Sequence, residues 1–319
     1  MEPPTAVTRD AIEAAAARTA AHVRVTPLLA LEPGAFGLDA RLTLKLETLQ
    51  HTGSFKPRGA FNRILSATIP ATGVIAASGG NHGMAVAHAA RVLGHRAEIF
   101  VPEIASPVKI DRLRRDGAHV TVGGATYAEA LQASAARAEA TGALVVHAYD
   151  QPEVLAGQGT VARELERQAP GLDAVLVAVG GGGLIGGMAA WLRGSVRLVG
   201  VEPEGAPTLA RALEAGKPVD VGVAGVAADS LGARRVGALM FPLAQQFVER
   251  VALVSDEAIR GAQRALWDAV RVVAEPGGAA ALAALLSGAY RPRAGERVGV
   301  LVCGANTDPG AVYSAAGKE

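Results

Sequence analysis

The sequence predicts an α/β fold organised around parallel β-sheet. Three observations lead there. Short apolar runs alternate with longer segments of helical periodicity from one end of the chain to the other. Most of these runs lack strict apolar–polar alternation, as do strands buried on both faces. Three of them end directly in glycine-bearing turns, the position at which such folds gather ligands.

The strand candidates are Leu42–Leu46, Gly73–Ala77, Ala97–Val101, His119–Val122, Leu144–His147, Ala174–Val179, Val196–Val201, Val251–Val254 and Val298–Val302. Between them, Thr8 is placed to cap a helix through Arg18. Ser255 is placed to cap one over Asp256–Val273, in which Ile259, Ala262, Leu266 and Val270 share a face. Segments near Glu32–Gly37 and Arg291–Gly295 read as surface loops.

Composition bounds the function classes. Of 319 residues, 50% are hydrophobic and only 19% charged, enough apolar material for a packed core. A net charge of +1 gives no basic excess to neutralise phosphates, so no nucleic-acid partner is expected. The single cysteine, Cys303, rules out an intrachain disulfide and a cysteine-rich zinc site. The N-terminal segment carries Arg9, Asp10, Glu13 and Arg18 in a helical pattern rather than a signal peptide's apolar core. Ala174–Leu192 holds no charge over 19 residues, but six are glycine, which suits strand, turn and helix better than a membrane span. A cytoplasmic protein without membrane contact is expected.

The three turns are Ser78-Gly79-Gly80-Asn81-His82-Gly83, Gly180-Gly181-Gly182-Gly183 and Cys303-Gly304-Ala305-Asn306. In the tetraglycine, residues without Cβ let several backbone N–H groups converge where a helix begins at Leu184, a cradle for a phosphate. Gly181, Gly183 and Gly186 also fit a dinucleotide-binding pattern, with Glu202 ending a strand 21 residues after Gly181. Tight strand–helix packing without a ligand is the third reading. The first turn, with Ser78 and Asn81 at a helix start, suits a carboxylate or is a plain cap.

Only five residues are lysine, and Lys56 is oddly placed. In Thr52-Gly53-Ser54-Phe55-Lys56-Pro57-Arg58-Gly59, Ser54 is expected to cap a helix and Pro57 to occupy its first turn. A cation there opposes the helix dipole. Such a site suits an amine that is neutral part of the time or covalently linked, where a solvated surface lysine is the bland reading. Lysine, phosphate cradle and carboxylate turn together point to pyridoxal 5′-phosphate.

The chain resembles the fold-type II pyridoxal-phosphate enzymes, and within them the serine/threonine dehydratase (threonine ammonia-lyase) group, catalytic domain only. The matching segments are Lys45-Leu46-Glu47-Thr48-Leu49-Gln50, Thr52–Ala60, Ser78–Gly83, Gly157-Gln158-Gly159-Thr160, Gly180–Leu184, Gly200-Val201-Glu202-Pro203, Glu275-Pro276 and Cys303–Asn306. The resemblance implies two open, mostly parallel sheets flanked by helices. A large lobe, 1–50 and 147–319, would carry an inserted mobile lobe, 51–146. Lys56 would bind the cofactor as a Schiff base, with Phe55 packed near the ring, Asn81 on the ring hydroxyl and Cys303 facing the pyridine nitrogen. Gly180, Gly181, Gly182 and Gly183, with the amide of Leu184, would hold the phosphate. Ser78, Gly79, Asn81 and His82 would frame the carboxylate of an amino-acid substrate. The implied reaction removes the β-hydroxyl of L-threonine or L-serine, giving a 2-oxo acid and ammonia. A dehydratase or racemase for another 3-hydroxy amino acid, such as 3-hydroxyaspartate or serine, is the alternative within the class, and an NAD-binding oxidoreductase the one outside it. A homodimer is implied.

Two departures from the family's pattern matter. Related serine racemases carry a serine where this chain has Gly79, so efficient racemisation is not expected. Some relatives bind a divalent cation through a Glu, a backbone carbonyl and an Asp. Glu202 and Ala206 match the first two, but Thr208 stands in the third place, which leaves a metal site open. With the chain ending at Glu319, no C-terminal regulatory domain and no feedback by isoleucine are expected.

Overall fold

The computed structural model describes residues 7–314. Its strands are β1 (Leu28–Ala30), β2 (Arg41–Leu46), β3 (Val74–Ala77), β4 (Ala97–Val101), β5 (His119–Val122), β6 (Leu144–Val145), β7 (Ala174–Ala178), β8 (Arg197–Pro203), β9 (Val248–Val254) and β10 (Arg297–Val302). They form a six-stranded sheet in the order β1-β2-β10-β7-β8-β9 and a four-stranded sheet in the order β5-β4-β3-β6. Every pairing is parallel except β1 with β2. The central strands β3 and β7 are buried at every residue, while the edge strands β5 and β9 carry exposed positions. That difference follows from helices covering both faces of a parallel sheet.

The first eight helices are α1 (Arg9–Thr19), α2 (Pro57–Leu65), α3 (Asn81–Val92), α4 (Pro107–Arg115), α5 (Tyr127–Thr141), α6 (Pro152–Gln168), α7 (Gly183–Leu192) and α8 (Thr208–Ala215). Thr8 caps α1, accepting from the Ala11 amide at 3.1 Å. Helix α6 packs on α1, α2 and α7, and so ties the two sheets together. One core cluster surrounds the large sheet; a second joins β3 and β4 to α3. The uncharged stretch Ala174–Leu192 divides into β7, a glycine turn and α7. Among the described residues no helix is long and apolar enough to cross a membrane.

Several expectations shift, among them the strands expected at Val196–Val201 and Val251–Val254, which run over Arg197–Pro203 and Val248–Val254. β1 was not legible: three residues after Pro27 carry no periodicity, and pairing with β2 creates the strand. β6 stops at Val145 because the Val146 carbonyl accepts from His82 Nε2 at 2.8 Å, and His147 Nδ1 then accepts from the amides of Tyr149 and Asp150, turning the chain. The helix capped by Ser255 ends at Val270, where Arg271 takes a left-handed backbone at φ 57°.

A buried ionic cluster fixes the start of α2. The Arg58 guanidinium, 1% exposed, forks onto both oxygens of buried Glu47, each at 2.7 Å, and reaches Glu164 of α6 at 3.0 Å. Lys45 of β2 completes it, bonding Glu164, the Thr26 carbonyl and Gln168. Burial works against the Arg58 charge, but Glu47 and Glu164 outweigh it and hold the guanidinium firmly protonated. Planar, bidentate pairing of this kind is specific to arginine. Replacing Arg58 by Ala leaves Glu47 buried without its ionic partner and Glu164 with Lys45 alone, and we expect a loss of about 3–5 kcal/mol in unfolding free energy. Urea denaturation followed by circular dichroism checks this; a loss under about 1 kcal/mol contradicts it.

Candidate active site

The sequence segment around Lys56 is placed by backbone pairing rather than by the expected cap. Ser54 is extended and forms an antiparallel bridge with Gly304. The Phe55 amide donates to the Cys303 carbonyl at 3.2 Å, and the Ala305 amide to the Gly53 carbonyl at 2.8 Å. Helix α2 begins only at Pro57, with Lys56 itself in the N-cap position and no side-chain cap. This zipper brings Lys56 beside Cys303 although 247 positions separate them in the chain.

The Lys56 amine donates to the Ala148 carbonyl at 2.8 Å and lies 5.1 Å from the centre of the Phe55 ring. Burial lowers its pKa to about 8, with Cys303 and Glu275 opposing the fall. The pocket around it is lined by Phe55, Lys56, Asn81, Tyr149, Ala178, Gly180–Gly183, Leu184, Ser230, Leu231, Glu275, Gly277 and Cys303. Thus seven separate stretches of chain converge on one amine. Ser78, Gly79 and His82 do not line this pocket; Ser78 and Gly79 belong to the turn that leads from β3 to Asn81, and His82 to the first turn of α3. There the Ser78 hydroxyl accepts from the Gly80 amide at 3.2 Å, and the amides of Asn81 and His82 have no acceptor among the described residues. The His82 ring is buried, pointed at Val146, and kept neutral: burial and Lys56 push its pKa down to about 3.

At the opposite side the tetraglycine links β7 to α7. Gly182 has φ +86°, a left-handed backbone that glycine tolerates without strain. A Cβ on Gly181 would lie 2.3 Å from the Tyr149 ring, and one on Gly183 2.8 Å from the Tyr149 Cβ. Only glycines let this backbone lie against Tyr149. Cys303 is buried, its thiol 3.5 Å from the Gly277 carbonyl, and burial followed by Glu275 pushes its pKa far up, so it carries no charge.

Two polar residues escaped functional reading. Glu275 precedes Pro276 at the start of the helix Pro276–Leu286, and its carboxylate accepts from Asn81 Nδ2 at 2.6 Å. Burial raises its pKa to about 7, with the Asn81 bond opposing. Asn306 Nδ2 donates to Asn81 Oδ1 at 2.6 Å and to the Thr52 carbonyl at 2.8 Å. Asn81 is therefore held from both ends, with one amide hydrogen left for a ligand. The only sequence signals were a carboxylate before a helix-starting proline and an asparagine in the third glycine turn.

Comparison with known proteins agrees with this geometry. Residues 19–304 match the family model described as pyridoxal-phosphate dependent enzyme. The L-threonine ammonia-lyase of Geobacter sulfurreducens is 39% identical over 93% of this chain and 75% of its own length. The phenylserine dehydratase of Ralstonia pickettii is 38% identical over 93% of each. The structure of maize serine racemase superimposes with a TM-score of 0.91 at 33% identity, covering 98% of this chain and 97% of that one. The chain belongs to the pyridoxal-phosphate-dependent enzymes. It is a lyase of fold type II, and pyridoxal phosphate is its cofactor.

The residues fit that group: a buried amine for its aldehyde and a glycine-walled recess for its phosphate share one pocket. The dinucleotide reading falls away, since buried Glu202 spends its carboxylate on Thr208 and the amides of Leu209 and Ala210. A cation would meet one carboxyl group there, already bonded by Thr208 and two amides, with Thr208 itself in the third place.

Only the neutral amine attacks an aldehyde. Covalent capture of the cofactor by apo-protein, followed by its visible absorbance, should therefore accelerate with pH, about tenfold per unit, and level off above about pH 8. Glu275 raises the Lys56 pKa, so Glu275→Gln should move the rise to lower pH; an unmoved or oppositely moved profile contradicts the assignment.

Proposed function

We propose that the protein is a dehydratase of 3-hydroxy amino acids, converting L-threonine and L-serine to a 2-oxo acid and ammonia. The observation that carries this is the uncharged Cys303 thiol in the pocket, already directed at a backbone carbonyl. A carboxylate in that place would keep a pyridine nitrogen protonated and favour a long-lived carbanion. A neutral thiol does not, which suits prompt loss of a β-substituent.

Bound pyridoxal phosphate supplies the electron sink. The chain supplies orientation and proton movement. Lys56 Nζ, with its proton affinity lowered by burial, takes the proton from the substrate Cα. The Ser78 hydroxyl and the amides of Asn81 and His82 receive the substrate carboxylate at the start of α3. Phe55 packs beside the ring, Asn81 holds the ring hydroxyl, and Gly180–Gly183 with Leu184 hold the phosphate. Residues 51–146 form the lobe that closes over the substrate.

Two observations shape the specificity. Gly79 offers no acid or base, so racemisation should be slow, even though a side chain would fit: a Cβ there meets nothing nearer than Val101 Cγ1 at 3.6 Å. Similarity to a phenylserine dehydratase over nearly the whole of both chains supports a second reading, in which the preferred β-substituent is bulkier than a methyl group.

A panel of L-serine, L-threonine, 3-hydroxyaspartate and phenylserine, scored for 2-oxo acid and for enantiomer by chiral chromatography, tests the proposal. We expect 2-oxo acid from serine and threonine, no build-up of D-serine, and a loss of about 10²–10⁴-fold in Lys56→Ala. Gly79→Ser should add measurable racemisation. D-serine forming faster than pyruvate in the unmodified protein overturns the reading.

A further inference from the structure

An anion cradle made of backbone works only if its amides face inward and its carbonyls are held outside. In a planar trans peptide the carbonyl of one residue and the N–H of the next point in opposite directions. Gripping a carbonyl from outside therefore aims the following amide into the site. The glycine turn is gripped twice. The Gly237 amide donates to the Gly181 carbonyl at 3.0 Å, and its segment is held by Asp150, which accepts from the amides of Ala238 and Leu239 at 3.0 and 2.9 Å. The second grip is the Thr208 hydroxyl, whose one hydrogen goes to the Gly180 carbonyl at 3.0 Å when Glu202, its pKa raised to about 7 by burial, is protonated and donates from Oε1 to Thr208 Oγ1 at 2.7 Å.

Neither Thr208 nor Glu202 lines the pocket, and both are fully buried. Glu202 projects from β8 and also accepts from the Leu209 and Ala210 amides at 2.7 and 3.0 Å, which fixes the first turn of α8 and Thr208 with it. The chain of contacts thus runs from β8 through the head of α8 to the first peptide of the turn.

We propose that Thr208, fixed by Glu202, is a positioning residue for the glycine turn: it holds the Gly180 carbonyl outward and so aims the Gly181 amide at the cofactor's phosphate. The strut is made of protein alone. On this reading the turn keeps its shape without a divalent cation.

The test reads cofactor capture and not turnover, so it stands apart from the choice of substrate. Apo-protein is titrated with pyridoxal 5′-phosphate and, separately, with pyridoxal, which has the aldehyde but no phosphate. Thr208→Val removes the hydroxyl at nearly constant shape. It should weaken pyridoxal phosphate about tenfold while changing pyridoxal less than about twofold, since the lost bond serves only the phosphate end. Thr208→Ser keeps the hydroxyl and should restore the affinity to within about twofold of the original. Equal weakening of both ligands, or none for pyridoxal phosphate, overturns the proposal. Independently of any variant, EDTA followed by Mg²⁺ or Ca²⁺ should leave the affinity of the unmodified protein unchanged; a cation-dependent gain overturns it as well.

Discussion

An ammonium has three hydrogens to give, and the Lys56 amine meets one acceptor, the Ala148 carbonyl. Enclosed in protein with so little to solvate its charge, the amine holds its proton loosely. The chemistry depends on that enclosure, and the enclosure depends on the start of α2 being immovable. Two constraints provide this. On one side Gly53, Ser54 and Phe55 are zipped to Cys303, Gly304 and Ala305. On the other, Arg58, the second residue of α2, is anchored in the ionic cluster with Glu47, Glu164 and Lys45. The Lys45-Leu46-Glu47 and Pro57-Arg58-Gly59 segments are therefore parts of one device that fixes a lysine whose amine they do not bond.

The rest of the pocket divides by charge. Its amine and glycine turn provide for an aldehyde and an anion. Cys303 adds none of its own, and Glu275, buried between Asn81 and the helix Pro276–Leu286, sits near the middle of its titration at neutral pH. The relay from Thr52 through Asn306 and Asn81 to Glu275 ties the head of α3 to residues that flank the large sheet. A change in the charge of Glu275 thus bears on both Lys56 and the grip on Asn81.

Much of this was legible in the sequence because it is local. Buried strands announce themselves as apolar runs, and turns that need glycine show as glycine, so β7, the tetraglycine and α7 could be placed almost to the residue. The lysine was conspicuous because a cation and a proline share a helix start. What stayed hidden was long-range pairing. Ser54 looks like a cap until Gly304 arrives to pair with it. Glu275 and Asn306 meet Asn81 across 194 and 225 positions of chain, and no local pattern encodes those meetings. Arg58 gives no local sign of its burial, because nothing nearby says that Glu164 of α6 waits for it. Glu202 misled for the same reason: its acidic position fits a ribose or a cation, while its partners are a threonine and the free amides of a helix start.

The most direct test of the central claim is chemical. Holo-protein is reduced with borohydride, digested, and its peptides weighed by mass spectrometry. The pyridoxyl-phosphate increment should fall on the peptide containing Lys56 and on none containing Lys45, Lys109, Lys217 or Lys318. An increment on another lysine, or none anywhere despite bound cofactor, contradicts the account.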